Sequence, residues 1–132
     1  MSSHSKLESF LSSKTPEALG IVRIVSALIF IEHGTQKIFS FPAGKMGGVE
    51  LFSIFGAAGL LEILGGLPLL VGLFTRPVAF VLAGQMAVAY WFFHAPSNFF
   101  PANNGGDAAI LYCLLFLLFV FTGPGKFAIG KK

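Results

Sequence analysis

Residues 19–39, LGIVRIVSALIFIEHGTQKIF, form an apolar stretch of about the length that crosses a bilayer, yet Arg23, Glu32, His33, Gln36 and Lys37 interrupt it. An ionisable group at the bilayer centre costs at least ~2.5 kcal/mol on insertion scales, so a stretch serving only as an anchor would not keep so many. At about 100° per residue, Glu32, His33 and Gln36 share one arc of a helix while Arg23 and Lys37 share the adjoining arc. The remaining arc is apolar, so this helix meets lipid on one side and protein on the other.

The same imbalance runs through the whole chain. Of its 132 residues 55% are hydrophobic and 11% charged, against about 25% charged in a typical soluble domain. That makes it an integral membrane protein of a single domain, whose core is the inside of a helix bundle. The net charge of +3 is modest. Its Lys and Arg residues sit at the ends of apolar runs without aromatic interleaving, which excludes a nucleic-acid partner. Cys113 is the single cysteine, so neither an internal disulfide nor a CxxC redox pair can form.

In chain order, the polar first segment carries Leu7, Phe10 and Leu11 on one helical face, the pattern of a short helix lying on the membrane surface. It lacks the apolar core of a cleavable signal peptide, so the first span is expected to stay in place. Thr15-Pro16-Glu17 reads as an N-cap, a proline at the first helical position and an acid in the first turn. After Pro42 a Gly- and Pro-rich loop leads to the second span, where Ala58, Glu62 and Gly66 follow at i, i+4, i+8 beside Gly59 and Gly65. A carboxylate therefore sits in mid-membrane on a face that a neighbouring helix can approach closely. Pro68 is expected to kink this helix. Thr75-Arg76-Pro77 is too short for anything but a tight turn, and Arg76 there reads as a topology determinant. The third span ends near His94, and Trp91, Phe92, Phe93, Phe99 and Phe100 suit an interfacial belt. Asp107 is placed to cap the fourth span, which Gly123-Pro124-Gly125 stops. The expected fold is all-α, an up-down-up-down bundle of four transmembrane helices (17–40, 51–74, 78–94 and 108–122) with a short N-terminal interfacial helix.

Lys6, Lys14, Arg76, Lys126, Lys131 and Lys132 fall on one side of such a bundle, against Lys45 and Lys37 on the other. The expected location is the cell membrane, crossed several times, and the positive-inside rule makes both termini cytoplasmic. Glu32, Glu62 and Gln85 then lie near mid-membrane, and His33, Gln36, Lys37 and His94 toward the outer end. They are expected to converge on a pocket open to that side. Within it Glu62 is expected to pair with a basic group of the first span, either Arg23 or His33 and Lys37, with His33 nearest in depth and Gln85 completing the shell.

Arg23, His33-Gly34-x-x-Lys37, Glu62 with Gly65-Gly66, Arg76, His94, Asn104-Gly105-Gly106-Asp107 and Gly123-Pro124-Gly125 occur in the order seen in the DoxX family of small four-span membrane proteins, which the chain resembles from about residue 17 to 127. Asp107 departs from the Glu that the family often has there. The resemblance implies a membrane oxidoreductase or a subunit of one, some members being similar to quinone-reducing thiosulfate dehydrogenase subunits.

The residues themselves offer no redox centre: no CxxCH for covalent haem, no GxGxxG for a nucleotide cofactor, no cysteine cluster for iron and sulfur. A metal site is not expected either, because neighbouring helical positions such as Glu32 and His33 diverge by about 100°. The first reading is thus a subunit offering a quinone site to a soluble, cofactor-bearing redox partner. Glu62 and His33 would relay protons, Lys37 would polarise a carbonyl of the ring, and Arg23, Glu32, Gln36, Gln85, His94 and Asp107 would line the site. The alternatives are a small-solute transporter or channel gated by a Glu62–Arg23 pair, which in a bundle this small requires a homo-oligomer, and a membrane assembly or scaffold protein. Lipid is a partner in every case.

Overall fold

The computed structural model describes residues 2–44 and 47–130. Its helices are α1 (Ser3–Ser13), α2 (Thr15–Phe39), α3 (Ile54–Val71), α4 (Thr75–Ala89), α5 (Pro101–Asn104) and α6 (Asp107–Thr122). Beyond Ala89, α4 continues through a π-helical turn, Tyr90–His94, and a 3-10 turn, Ala95–Ser97. Three of these stretches, Thr15–Phe39, Ile54–Val71 and Thr75–Ser97, are long and apolar enough to cross a membrane. The shorter apolar helix α6, of 16 residues, spans ~24 Å at 1.5 Å per residue.

Cross-connections fix the helix directions. Lys126 N–H donates to Pro16 C=O at 2.8 Å, Ile129 N–H to Val71 C=O at 2.9 Å, and Gly130 N–H to Gly72 C=O at 3.1 Å. The start of α2, the end of α3 and the segment after α6 therefore share one end of the bundle, here the tail end. Arg76 at the start of α4 donates to the carbonyls of Val120 and Phe121 at the close of α6. At the opposite, loop end, Val49 N–H donates to Lys37 C=O at 3.2 Å and His94 Nδ1 pairs with Asn104 C=O at 3.0 Å. The four long helices alternate in direction, as expected.

Within that frame α2 packs on α3 and α4 on α6, and the α3–α4 hairpin joins the two pairs. Lipid tails are as apolar as leucine, so close approach of backbones rather than apolar burial holds membrane helices together. Gly34 and Gly59 supply it. A Cβ on Gly34 would lie 2.8 Å from the Gly59 carbonyl oxygen, and one on Gly65 would lie 2.7 Å from Leu82 of α4. Between α2 and α6 aromatic rings fill the wider gap: Phe30 meets Phe116 edge-on at 5.0 Å and Tyr112 at 5.4 Å.

Element ends depart from expectation where small residues set them. Helix α2 begins at Thr15, so Lys14, without a side-chain bond, takes the cap position expected for Thr15. Ser53 caps α3 through a 3.1 Å bond from Gly56 N–H, and Gly72 ends it in the left-handed region. Pro77 lies inside the first turn of α4, where a proline loses no helical bond. Helix α6 starts with Asp107 itself, exposed, behind a Gly106 cap. Helix α1 buries nothing, and its Leu7, Phe10 and Leu11 remain exposed as an interfacial helix requires. Lys45, Lys131 and Lys132 lie outside the described residues.

Candidate functional site

Glu62 is buried at the α2–α3–α4 junction, its side chain 5% exposed, with Lys37 Nζ 2.7 Å from Oε1. Gln85 Nε2 donates to Oε2 of Glu62 at 3.3 Å and to the carbonyl of Ala58 at 3.4 Å. Because both partners accept, the amide is held with its nitrogen toward them. Gln85 Oε1 is left buried without a donor among the described residues. The glycine contact explains the placement: a Cβ on Gly59 would lie 3.0 Å from Lys37 Cβ. With α2 that close, the lysine stem lies against α3 and the ammonium reaches the carboxylate one turn further along.

His33 is not the nearest partner of Glu62. It makes no hydrogen bond to the carboxylate, is exposed, and sets its ring edge-on to Tyr112 of α6 with centroids 6.3 Å apart. Helical geometry gives the reason. Gly34 packs against α3, and Lys37 at i+3 shares its face while His33 is turned ~100° away. Depth along the helix favoured His33, but rotation decides the pair.

Arg23 does not reach Glu62 either, so the gating pair expected of a channel is not formed. Fully buried, its guanidinium donates to the carbonyls of Pro124, of Lys126 at 3.0 Å and of Phe127 at 2.7 Å. It neither snorkels nor lines a pocket; it binds the tail. Gln36 donates to the Pro42 carbonyl at 3.1 Å and so ties α2 to the loop. Glu32 and Asp107 are exposed and stand apart from the cluster. Arg76, expected only to set topology, also satisfies two of the last carbonyls of α6, at 3.1 and 2.9 Å.

His94 belongs to a second polar cluster at the loop end, organised by Asn104, a residue the sequence reading left out of the site. Asn104 Oδ1 accepts from Gly106 N–H at 2.8 Å, while Nδ2 donates to the Asn98 carbonyl at 3.0 Å and to the Tyr90 hydroxyl at 3.2 Å. Gly106 has no room for a side chain, since a Cβ there would lie 2.6 Å from the Tyr90 ring. The signal for this cluster was the Asn-Gly-Gly run beside an aromatic span end. Next to it, between α4 and α6, a cavity of about 570 Å³ is lined by Met86, Tyr90, Trp91, Phe99, Cys113 and Leu114, among others. Glu62, Lys37 and Gln85 take no part in it. Among the described residues no group of three His, Cys, Asp or Glu side chains is placed to hold a metal ion.

The expected convergence on one pocket thus resolves into an ion-paired core cluster and a separate polar cluster at the loop end. The DoxX family profile matches residues 18–95, more than half of the chain and the part that carries Arg23, Lys37, Glu62 and Gln85. The chain belongs to the DoxX family. Among DoxX relatives, an uncharacterized protein of Haemophilus influenzae is 45% identical over 127 residues, covering 92% of this chain and 95% of the relative. The inner membrane protein YqjF of Escherichia coli is 32% identical over 122 residues, 84% of this chain and 88% of its own length. No solved structure matches this DoxX protein.

Proposed function

We propose that this DoxX protein is a multi-pass inner-membrane subunit of an oxidoreductase, providing a quinone site and a proton relay while a cofactor-bearing partner supplies the electrons. The Lys37–Glu62–Gln85 cluster carries the reading. A buried ion pair adds little net stability for its desolvation cost, which makes a chemical use for it the stronger explanation. Reducing a quinone to a quinol consumes two electrons and two protons. Glu62, a carboxylate in the resting ion pair, first takes up a proton and then passes it to the ring oxygen, and we assign the exposed His33 to resupply it. Lys37 spends one of its three N–H donors on Glu62 and retains others for a carbonyl oxygen of the ring. The buried, unpartnered Gln85 Oε1 fits the hydroxyl of a quinol as acceptor.

Glu62→Gln keeps the shape and one acceptor oxygen for Lys37 but cannot deliver a proton. With the native membrane fraction as electron source, quinone reduction that depends on this protein is expected to fall by about 10²–10⁴-fold, the usual worth of a general acid. Unchanged reduction rates in the variant, or no quinone in protein purified from native membranes, would end this reading.

The inner-membrane location is supported by the name of the YqjF relative. For orientation we infer cytoplasmic termini, since Lys6, Lys14, Arg76 and Lys126 belong to the tail end. In a Cys113→Ala background, a cysteine introduced at Gly47 is expected to react with an impermeant maleimide added to whole cells, and one at Ser12 only after lysis. The reverse pattern would invert the bundle and with it the side to which the site opens.

A further inference from the structure

The cavity between α4 and α6 lies apart from the Glu62 cluster, and its chemistry is different. Its walls are apolar, from Met86 along about three turns of helix to the aromatic residues Trp91 and Phe99 at the loop end. One well-buried hydrogen-bonding group stands in that wall, the Tyr90 hydroxyl, on a residue only 9% exposed. Its state can be read from its neighbours. Asn104 accepts through Oδ1 from Gly106 N–H and donates through Nδ2 to the Asn98 carbonyl, so its amide cannot be turned round, and it must be the donor to Tyr90. The tyrosine therefore accepts in that bond, and its own O–H proton has no acceptor among the described residues. A buried donor left unspent costs on the order of 1–3 kcal/mol. The site is also built at some expense, since Gly106 must lack a side chain to admit the ring and the helix widens into a π turn at Tyr90.

We propose that this groove is a phospholipid site, in which one acyl chain lies along α4 and α6 and its ester carbonyl accepts the Tyr90 proton. Trp91 is the kind of residue that sits at the level of lipid headgroups, which puts its neighbour Tyr90 at the depth where ester carbonyls occur. A quinone ring has carbonyls on opposite edges and asks for two buried donors. The groove supplies one, and a flexible chain fills the apolar remainder. The proposal does not rest on the oxidoreductase reading.

Cys113, the single thiol of the chain, lines the groove and reports its occupancy without any substitution. The protein is reconstituted in vesicles of diester phosphatidylethanolamine and phosphatidylglycerol, and in parallel in their diether analogues, which lack the carbonyl. Labelling of Cys113 by N-ethylmaleimide is expected to be about fivefold slower in the ester vesicles, the worth of one hydrogen bond. In Tyr90→Phe the two rates should coincide. Equal rates in the unsubstituted protein overturn the proposal, and an ester effect that persists in Tyr90→Phe overturns the assignment of the carbonyl to Tyr90. Decylubiquinone added to the ether vesicles should leave the rate unchanged; strong protection would mean that the groove takes a quinone instead.

Discussion

Glu62→Ala is expected to lower the thermal stability of the protein in mild detergent far more than Glu62→Gln does. Truncation leaves Lys37, its side chain 14% exposed, with its ammonium facing an apolar junction and nothing to balance it. Removing one member of a buried pair typically costs about 3–5 kcal/mol. Glutamine retains one acceptor oxygen, enough for the Lys37 ammonium though not for Gln85 as well, so its loss should be smaller. The paired replacement of Lys37→Met with Glu62→Leu is expected to unfold at or above the native temperature, because no charge is then left to desolvate. Equally small losses in Glu62→Ala and Glu62→Gln would show that water solvates the carboxylate, and the closed cluster would have to be abandoned.

Arg23→Met is expected to be as damaging and to act at a different place. The guanidinium is fully buried and bonded to Pro124, Lys126 and Phe127. Losing it strands three carbonyls, a cost of roughly 3 kcal/mol or more. The specific sign is release of the tail: trypsin should cut after Lys126 in folded Arg23→Met protein at a rate at least tenfold above that of the unsubstituted protein. Arg23→Lys should restore only part of the protection, since one ammonium cannot span the fork of acceptors. An uncut tail would mean that the backbone bonds from Ile129 and Gly130 hold it unaided.

The four-helix architecture was legible because apolar runs and turn residues act locally, and the Lys/Arg asymmetry separates the bundle ends. The small-residue face around Glu62 was legible for the same reason: i, i+4, i+8 spacing is a property of one helix. What the sequence could not show was which residues meet across helices. His33 and Lys37 lie close in depth and differ mainly in rotation, and rotation is set by the Gly34–Gly59 contact. Arg23 looked like a pocket residue or a snorkelling one because its three acceptors are backbone carbonyls, which carry no sequence signature. The bonds from Arg76 to the last carbonyls of α6 were hidden for that reason too. Asn104 escaped notice since an Asn-Gly-Gly run is ordinarily only a turn, and its roles as donor to Tyr90 and acceptor from Gly106 depend on a π turn that propensity does not reveal.

The bond from Arg23 to Pro124 joins residues 101 positions apart, and that separation bears on how the protein is made. The arginine enters the membrane with the first helix, while its acceptors leave the ribosome more than a hundred residues later. Throughout synthesis the first helix carries a cation with no partner, and the bundle can lock only after α6 and the tail are in place. A chain interrupted before Phe127 would keep all of its helices yet present guanidinium donors without their acceptors inside the bundle, a mark by which membrane quality control could tell interrupted copies from assembled ones.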